Sequence, residues 1–264
     1  MPRSAARIER MSETIYDHPL YYDILFGWDR SDEANFYAKA FERHGVAPGA
    51  RIVEMACGSG QVARLLARRG WRVTGVDNRQ PMLDFLREQA RADGSSVDVV
   101  CADMATFSIR EPFAAALNPM SSFRLLQSDA AADAHLRAMA AALRPGAVYV
   151  LDLSFTGHGV PSYQTTNESW TMQRGDITVE GTDAGVNVDD RGVRHTLAWG
   201  AETHLRPYTY VEFVQRVHAT GSFTIGSCHQ EIKGADDIGR FDVDLAAEPP
   251  LVGRTMVVLE RISG

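Results

Sequence analysis

Apolar positions along this chain alternate between a helical and a strand period. From Ser31 to about His44, the residues Tyr37, Ala40, Phe41 and His44 fall at i, i+3, i+4 and i+7, which predicts one helical face. Ser31 suits the N-cap, Asp32 and Glu33 the first turn, and Gly45 the stop. After the Pro48-Gly49 turn, Arg51 to Met55 reads as a short buried strand. It runs straight into Ala56-Cys57-Gly58-Ser59-Gly60 and a helix with Val62, Leu65 and Leu66 inward, ended by Gly70. Trp71 to Asp77 predicts a second strand, and Pro81 opens a helix with Met82, Phe85 and Leu86 on its apolar side. Val97 to Cys101 and Phe113 to Leu117 are the third and fourth strands. A helix from about Asp129 to Leu143 carries Leu136, Met139, Ala140 and Leu143 on one face. Arg144-Pro145-Gly146 breaks it, and Ala147 to Leu153 is the fifth strand.

Strand and helix in alternation predict an α/β fold, a mostly parallel sheet with helices on both faces. The pattern changes after Ser154. To about Leu205 there is no helical period, while Ile177 and Val179, then Leu197 and Trp199, alternate with polar neighbours. That predicts two or more antiparallel strands inserted between sheet elements. A helix resumes at Thr209, whose capping box with Glu212 precedes Tyr210, Phe213, Val214 and Val217 on one face, and Gly221 stops it. Ser222 to Cys228 and Thr255 to Glu260 are the last two strands. Four regions are expected: an N-terminal tail and aromatic cap over 1–30, a core over 31–154, an inserted β-rich lid over 155–205, and a closing helix and strands over 206–264.

Composition narrows the classes. The 264 residues are 45% hydrophobic and 23% charged, ordinary values for a globular chain with a real core. A net charge of −7 argues against a nucleic-acid partner. No run is apolar enough to span a bilayer, and the first ten residues carry three arginines with no apolar block behind them, so no secretory signal is expected. The three cysteines are far apart and odd in number, which fits a reducing, cytoplasmic setting. Self-association is left open.

The chemistry centres on Val53-Glu54-Met55-Ala56-Cys57-Gly58-Ser59-Gly60, between a strand and a helix. Glycines there let the backbone turn sharply and approach a ligand, and the helix beyond offers free amides. Asp77 ends the second strand, where its carboxylate can accept bonds from ribose hydroxyls. This much is shared by two classes, because Gly58-Ser59-Gly60-Gln61-Val62-Ala63 also satisfies the dinucleotide pattern G-x-G-x-x-A. Glu54 tilts the choice: an acidic group at the end of the first strand suits an ammonium and repels a pyrophosphate. Cys101-Ala102-Asp103-Met104 adds a carboxylate and free backbone where an adenine can be read.

With these motifs the chain resembles the class I S-adenosylmethionine-dependent methyltransferases, over roughly residues 14–153 and more loosely in the closing strands. The resemblance implies a Rossmann-like methyltransferase fold, a seven-stranded sheet with an inserted antiparallel lid. S-adenosyl-L-methionine would be the cofactor and S-adenosyl-L-homocysteine the product. It implies that Glu54 through Gly60 face the methionine part, although Ala56 stands where glycine is commoner. It implies that Asp77 holds the ribose hydroxyls, that Asn78 and Met82 neighbour the adenosine, and that Asp103 and Met104 hold the adenine. Asn118 would end the fourth strand beside the sulfonium. The aromatic segment 14–30 and the insertion are similar in position to those of glycine, sarcosine and amino-sugar N-methyltransferases. Asn118-Pro119-Met120 lacks the aromatic-ended pattern of enzymes that methylate nucleic-acid bases.

The implied reaction is in-line methyl transfer to a nitrogen or oxygen of a small-molecule acceptor, with alignment and desolvation as the protein's main contributions. Tyr22 is the candidate to reach the sulfonium or the nucleophile. His158, just beyond the fifth strand, is the candidate base. Trp170 and Trp199 read as core of the inserted sheet more than as a substrate platform. The eight histidines form no metal set, and no Ser-His-Asp arrangement is expected. Two other readings share the glycine motif: an NAD-dependent oxidoreductase, and a non-catalytic module that binds S-adenosylmethionine.

Overall fold

A computed structural model of the chain describes residues 13–157, 169–182, 184–199, 205–230 and 251–262. In chain order the first elements are α1 (Pro19–Leu25), α2 (Ser31–Arg43), β1 (Arg51–Met55), α3 (Gln61–Arg68), β2 (Arg72–Asp77), α4 (Gln80–Ala92), β3 (Val97–Cys101) and β4 (Phe113–Asn118). Then follow α5 (Asp129–Ala142), β5 (Leu143–Phe155), β6 (Trp170–Arg174), β7 (Ile177–Thr182), β8 (Gly185–Asp190), β9 (Val193–Leu197), α6 (Tyr210–Thr220), β10 (Phe223–Gln230) and β11 (Gly253–Arg261). Seven strands form one sheet in the order β10-β11-β5-β4-β1-β2-β3. The pairs from β3 through β5 are parallel, and β11 runs antiparallel to both of its neighbours. This is the expected mostly parallel α/β sheet.

The core follows from the sequence of its central strand. Phe113-Ala-Ala-Ala-Leu-Asn118 is buried at every position, as a strand covered on both faces must be. One face packs Leu136 and Met139 of α5 and Phe213 and Val217 of α6, and the other packs Phe36, Phe41, Val62 and Leu66 of α2 and α3. The chain builds outward from β1 to β3 and then returns to β4 on β1's other side. The strand order therefore reverses between β1 and β4, and the crevice at their carboxyl ends is where ligands bind in such sheets.

Residues 170–197 form a separate antiparallel sheet in the order β6-β7-β8-β9. Its apolar face (Ile177, Val179, Val186, Val188 and Leu197) packs on Ile15, Ile24 and Leu25 of the N-terminal segment. The Ile15 amide donates to the Ala198 carbonyl at 3.0 Å, and the Tyr21 hydroxyl to Asp190 at 3.0 Å. The aromatic segment and the inserted strands thus make one layer.

Local details differ from the sequence expectation. Arg30, not Ser31, precedes α2, and the Ser31 amide is taken by the Asp29 carboxylate. Leu83 takes the buried place expected for Phe85, which is half-buried. Arg144-Pro145-Gly146 lies inside β5, where the register slips and the three residues bulge out. Trp170 is 38% exposed, so it is not core of the inserted sheet.

Candidate active site

The loop after β1 is built from left-handed residues. Ala56, Gly58 and Gly60 have φ of 52°, 52° and 71°. Gly60 has no room for a side chain, since a Cβ there would stand 2.1 Å from a Leu86 methyl of α4. Ala56 takes the same region with its Cβ in place, a conformation that costs an L-residue roughly 1–2 kcal/mol. Strain of this kind persists where surrounding structure imposes it, and it clusters at functional sites. Here the Cys57 amide is held by the Val76 carbonyl at 3.0 Å, and the Gly58 amide by Asp77 Oδ2 at 2.8 Å. Asp77 Oδ1 accepts from the Arg79 amide at 2.9 Å. Burial pushes the Asp77 carboxyl up, opposed by those two amides. The carboxylate thus fixes the loop's shape and stands at its rim.

Beneath the loop lies Glu54, buried in β1, with Oε2 bonded to nothing among the described residues. Burial raises its carboxyl to about 8, against the pull of Arg30 and the Ala63 amide. Asn118, fully buried at the end of β4, donates to the Met55 carbonyl at 3.0 Å, tying β4 to the loop; its Oδ1 has no partner among the described residues.

The N-terminal layer closes over this floor. The Tyr22 ring lies against Gly58, at 3.4 Å from where a Cβ would be. Burial raises the Tyr22 phenol far above its ordinary value, so at neutral pH it is a donor and not a base. Asp23 is joined to Arg174 of β6 at 2.9 Å and to Gln61, the first residue of α3, at 2.9 Å. Between cap and loop is a cavity of about 30 Å³, room for a water molecule or so. Tyr22, Phe26, Arg30, Glu54, Ala56 and Met120 are among its walls. A buried cation and a buried carboxyl with one unpartnered oxygen among the described residues therefore line one cavity.

Arg30 was not legible as a site residue in sequence. It is buried, donates to both Glu33 oxygens at 2.9 Å and to the Met120 sulfur at 2.9 Å, and lies over the Trp28 ring at 4.0 Å. Glu33 is also bound by Arg254 of β11, which grips Asp152 of β5 at 2.8 Å. Asp152 in turn accepts the Met120 amide at 2.9 Å. Met120 and Ser121, with φ of 57° and 55°, make a second left-handed turn after β4, held also by the Ser154 amide on Ser121 Oγ at 3.0 Å. Two strained turns, after β1 and after β4, thus face the same crevice.

The remaining expected residues fall beside this centre. Asn78 is exposed just beyond β2, and Met82 is buried in α4. Asp103 and Met104 follow β3, next to Asp77, whose carbonyl accepts the Ala102 amide at 3.0 Å. Asp103 is exposed and caps its own turn through the Ala105 amide at 2.7 Å. His158 lies outside the described residues. Trp170 and Trp199 stack at 5.7 Å beside Phe26, on the outer rim of the cap. Among the described residues, no three His, Cys, Asp or Glu side chains are placed to hold a metal ion, and no helix is long and apolar enough to cross a membrane.

Residues 52–146 match the family model described as a methyltransferase domain. A ubiquinone biosynthesis O-methyltransferase of Idiomarina loihiensis is 30% identical over 98 residues, covering 37% of this chain and 40% of that enzyme. The chain spans less than half the length of the curated relatives it matches. A crystal structure of an S-adenosylmethionine-dependent methyltransferase from Clostridium acetobutylicum superposes with a TM-score of 0.67 at 14% identity, over 95% of this chain and 97% of that one. A structure of an amino pentose methyltransferase from Micromonospora echinaspora gives 0.63 at 22% identity, over 96% and 99%. The likeness to these structures shows the fold, a Rossmann-like methyltransferase fold along nearly the whole chain.

Proposed function

We propose that this chain, which carries a methyltransferase domain at residues 52–146, binds S-adenosyl-L-methionine and transfers its methyl group to a nitrogen or oxygen of a small molecule. The observation that carries the reading is the pair of opposite groups in one cavity, Arg30 and Glu54, beside a left-handed glycine loop at the strand-order switch. That pair complements the carboxylate and ammonium of an amino-acid end. A dinucleotide's pyrophosphate offers no cation to this buried carboxyl, whereas an ammonium stabilises its ionised form. The orphaned Glu54 Oε2 is a ready acceptor for an ammonium, and the loop backbone at Gly58 carries no side chain to keep a ligand away.

In this reading Arg30 and Glu54 hold the amino-acid end, and Ala56, Gly58 and Gly60 the adjoining backbone. Asp77 takes the ribose hydroxyls, Asn78 and Met82 border the adenosine, Asp103 and Met104 take the adenine, and Asn118 closes the floor. When bound, S-adenosylmethionine supplies a methyl group on a sulfonium that departs as S-adenosyl-L-homocysteine. The chain's own work is alignment and exclusion of water. Tyr22 covers the loop as a neutral donor, and the Met120 turn sets the acceptor's side of the crevice. An amine acceptor needs no base beyond being neutral, whereas an oxygen acceptor calls on His158. The setting is cytoplasmic, which three free cysteines support, and the acceptor is not a nucleic acid.

The test is calorimetric titration of the protein with S-adenosylhomocysteine and, separately, NADH. Micromolar binding of the first alone is expected, and binding of NADH alone would overturn the function while leaving the fold. Turnover in an amine and alcohol screen then separates an enzyme from a module that only binds the cofactor.

A further inference from the structure

The segment after β3 is fastened at two points. Its start is held by the Ala102 amide on the Asp77 carbonyl at 3.0 Å, and its middle by a side chain from the other side of the core. That side chain is His135 of α5, fully buried, whose Nδ1 stands 2.8 Å from the Met104 carbonyl. A carbonyl only accepts, so Nδ1 carries the proton. Nε2 is then the acceptor, and the Tyr149 hydroxyl of β5 donates to it at 2.8 Å. The imidazole and the phenol satisfy one another completely in an apolar core, where an unpaired polar group would be costly. The ring is held edge-on by Phe123, which belongs to the turn after β4. An apolar side chain would fill this place in the core at less cost, so what the histidine adds is a directed hydrogen bond to one loop carbonyl.

We propose that His135, oriented by Tyr149, is a positioning residue that sets the Asp103–Met104 segment for reading the adenine 6-amino group. The proposal rests on the cofactor reading given above. The chain of bonds runs Tyr149 hydroxyl, His135 ring, Met104 carbonyl. Among the described residues, the Asp103 carboxylate, one residue earlier, takes its hydrogen bond from within its own turn, from the Ala105 amide. Without the His135 bond, the segment keeps the Ala102 hydrogen bond and its apolar packing through Met104 and Phe107, but loses the directed bond that fixes the Met104 carbonyl, and with it the set of the Asp103 carboxylate relative to Asp77. The loss falls on discrimination between purines more than on the fold.

The test compares the affinities of S-adenosylhomocysteine and S-inosylhomocysteine, which differ at that amino group, for the full chain and three variants. The wild type is expected to prefer the adenosyl compound by about tenfold or more. His135→Leu is expected to lose most of that preference. His135→Asn, whose amide nitrogen can replace Nδ1 as donor to Met104, should restore it. Tyr149→Phe, which keeps the ring and the core volume, should fall between and serves if His135→Leu does not fold. A merely structural role would lower melting temperature in each variant and leave the ratio unchanged, and that result overturns the proposal, as does a wild type with no preference. A wild type that binds neither compound refutes the cofactor reading itself, which is a different outcome from a preference that survives His135→Leu.

Discussion

Glu54 shows what one buried group sets for the site. Its carboxyl, ordinarily at 4.5, is pushed to about 8 by burial. A raised folded value means that the folded chain binds more protons than the unfolded one between those two points. Stability is therefore expected to fall as pH rises from 4.5 to about 8 and to level off above, and Glu54→Gln should flatten that part of a melting-temperature profile. The same group couples to ligand. An ammonium beside Oε2 favours the ionised form, so S-adenosylhomocysteine should release a proton on binding near neutral pH. Calorimetry in two buffers of different ionisation heat measures this release, and Glu54→Gln should abolish it. Ala56 makes a smaller claim. Its left-handed conformation costs roughly 1–2 kcal/mol, while glycine loses about 0.5–1 kcal/mol more backbone entropy on folding. Ala56→Gly should thus stabilise by up to about 1 kcal/mol in denaturant unfolding and leave cofactor affinity intact. Asp77→Ala should cost about 1–3 kcal/mol in affinity, because it removes both the rim carboxylate and the acceptor of the Gly58 amide. The glycines, Glu54 and Asp77 were visible in sequence because they sit at fixed offsets from a strand end. Arg30 was not, since its contact with Met120 spans 90 positions and nothing in the local pattern marks it.

At the scale of elements, the N-terminal segment and the inserted sheet depend on each other. Ile15, Ile24 and Leu25 are the apolar partners of β7, β8 and β9, and Ala198 pairs with the backbone around Thr14. Deleting residues 1–26 should therefore uncover the inner face of the small sheet and remove Tyr22 from the loop. The expected result is faster proteolytic cutting between β6 and β9, loss of turnover, and a core that still unfolds cooperatively. Leu25→Ala, a milder lesion at a fully buried site, should cost about 2–5 kcal/mol and weaken the same layer. The contrast between the two sheets also explains what was legible. The inner parallel strands, β1 and β4, announce themselves as short apolar runs, because both faces are covered. The small sheet does not. In β6 no residue is fully buried, and in β9 only Leu197 is, so the period-2 signal that β7 shows is faint in its neighbours. Arg144-Pro145-Gly146 reads as a break and behaves as a bulge, because strand pairing on either side carries the backbone through.

At the scale of the whole molecule, one ionic network joins parts of the chain that no local pattern connects. Arg254 of the last strand reaches Glu33 of α2, 221 positions away, and Asp152 of β5, 102 away. Asp152 holds the Met120 turn, and Arg30 links Glu33 to the cap. Glu33 and Asp152 are almost entirely shielded from water, so their charge needs a buried partner: Arg254 serves both, and Arg30 also serves Glu33. Arg254→Ala should destabilise by about 3–5 kcal/mol, read by equilibrium unfolding, because it leaves the Asp152 carboxylate buried without a cation and Glu33 with Arg30 alone. A well-packed apolar replacement of Arg254 and its two carboxylates behaves differently. Joining Arg254→Met to Glu33→Met and Asp152→Leu removes three of the charges but leaves Arg30 buried without its carboxylate, so only part of that loss should be regained. Yet the Met120 amide would then have no carboxylate to hold it, and Arg30 no fixed partner. If the network exists to orient the two turns that face the crevice, the triple variant should be folded but slow, with turnover reduced more than affinity for S-adenosylhomocysteine. A triple variant as active as the wild type would show that the charges are an accident of packing, and that the turns after β1 and β4 hold their strained shapes without them.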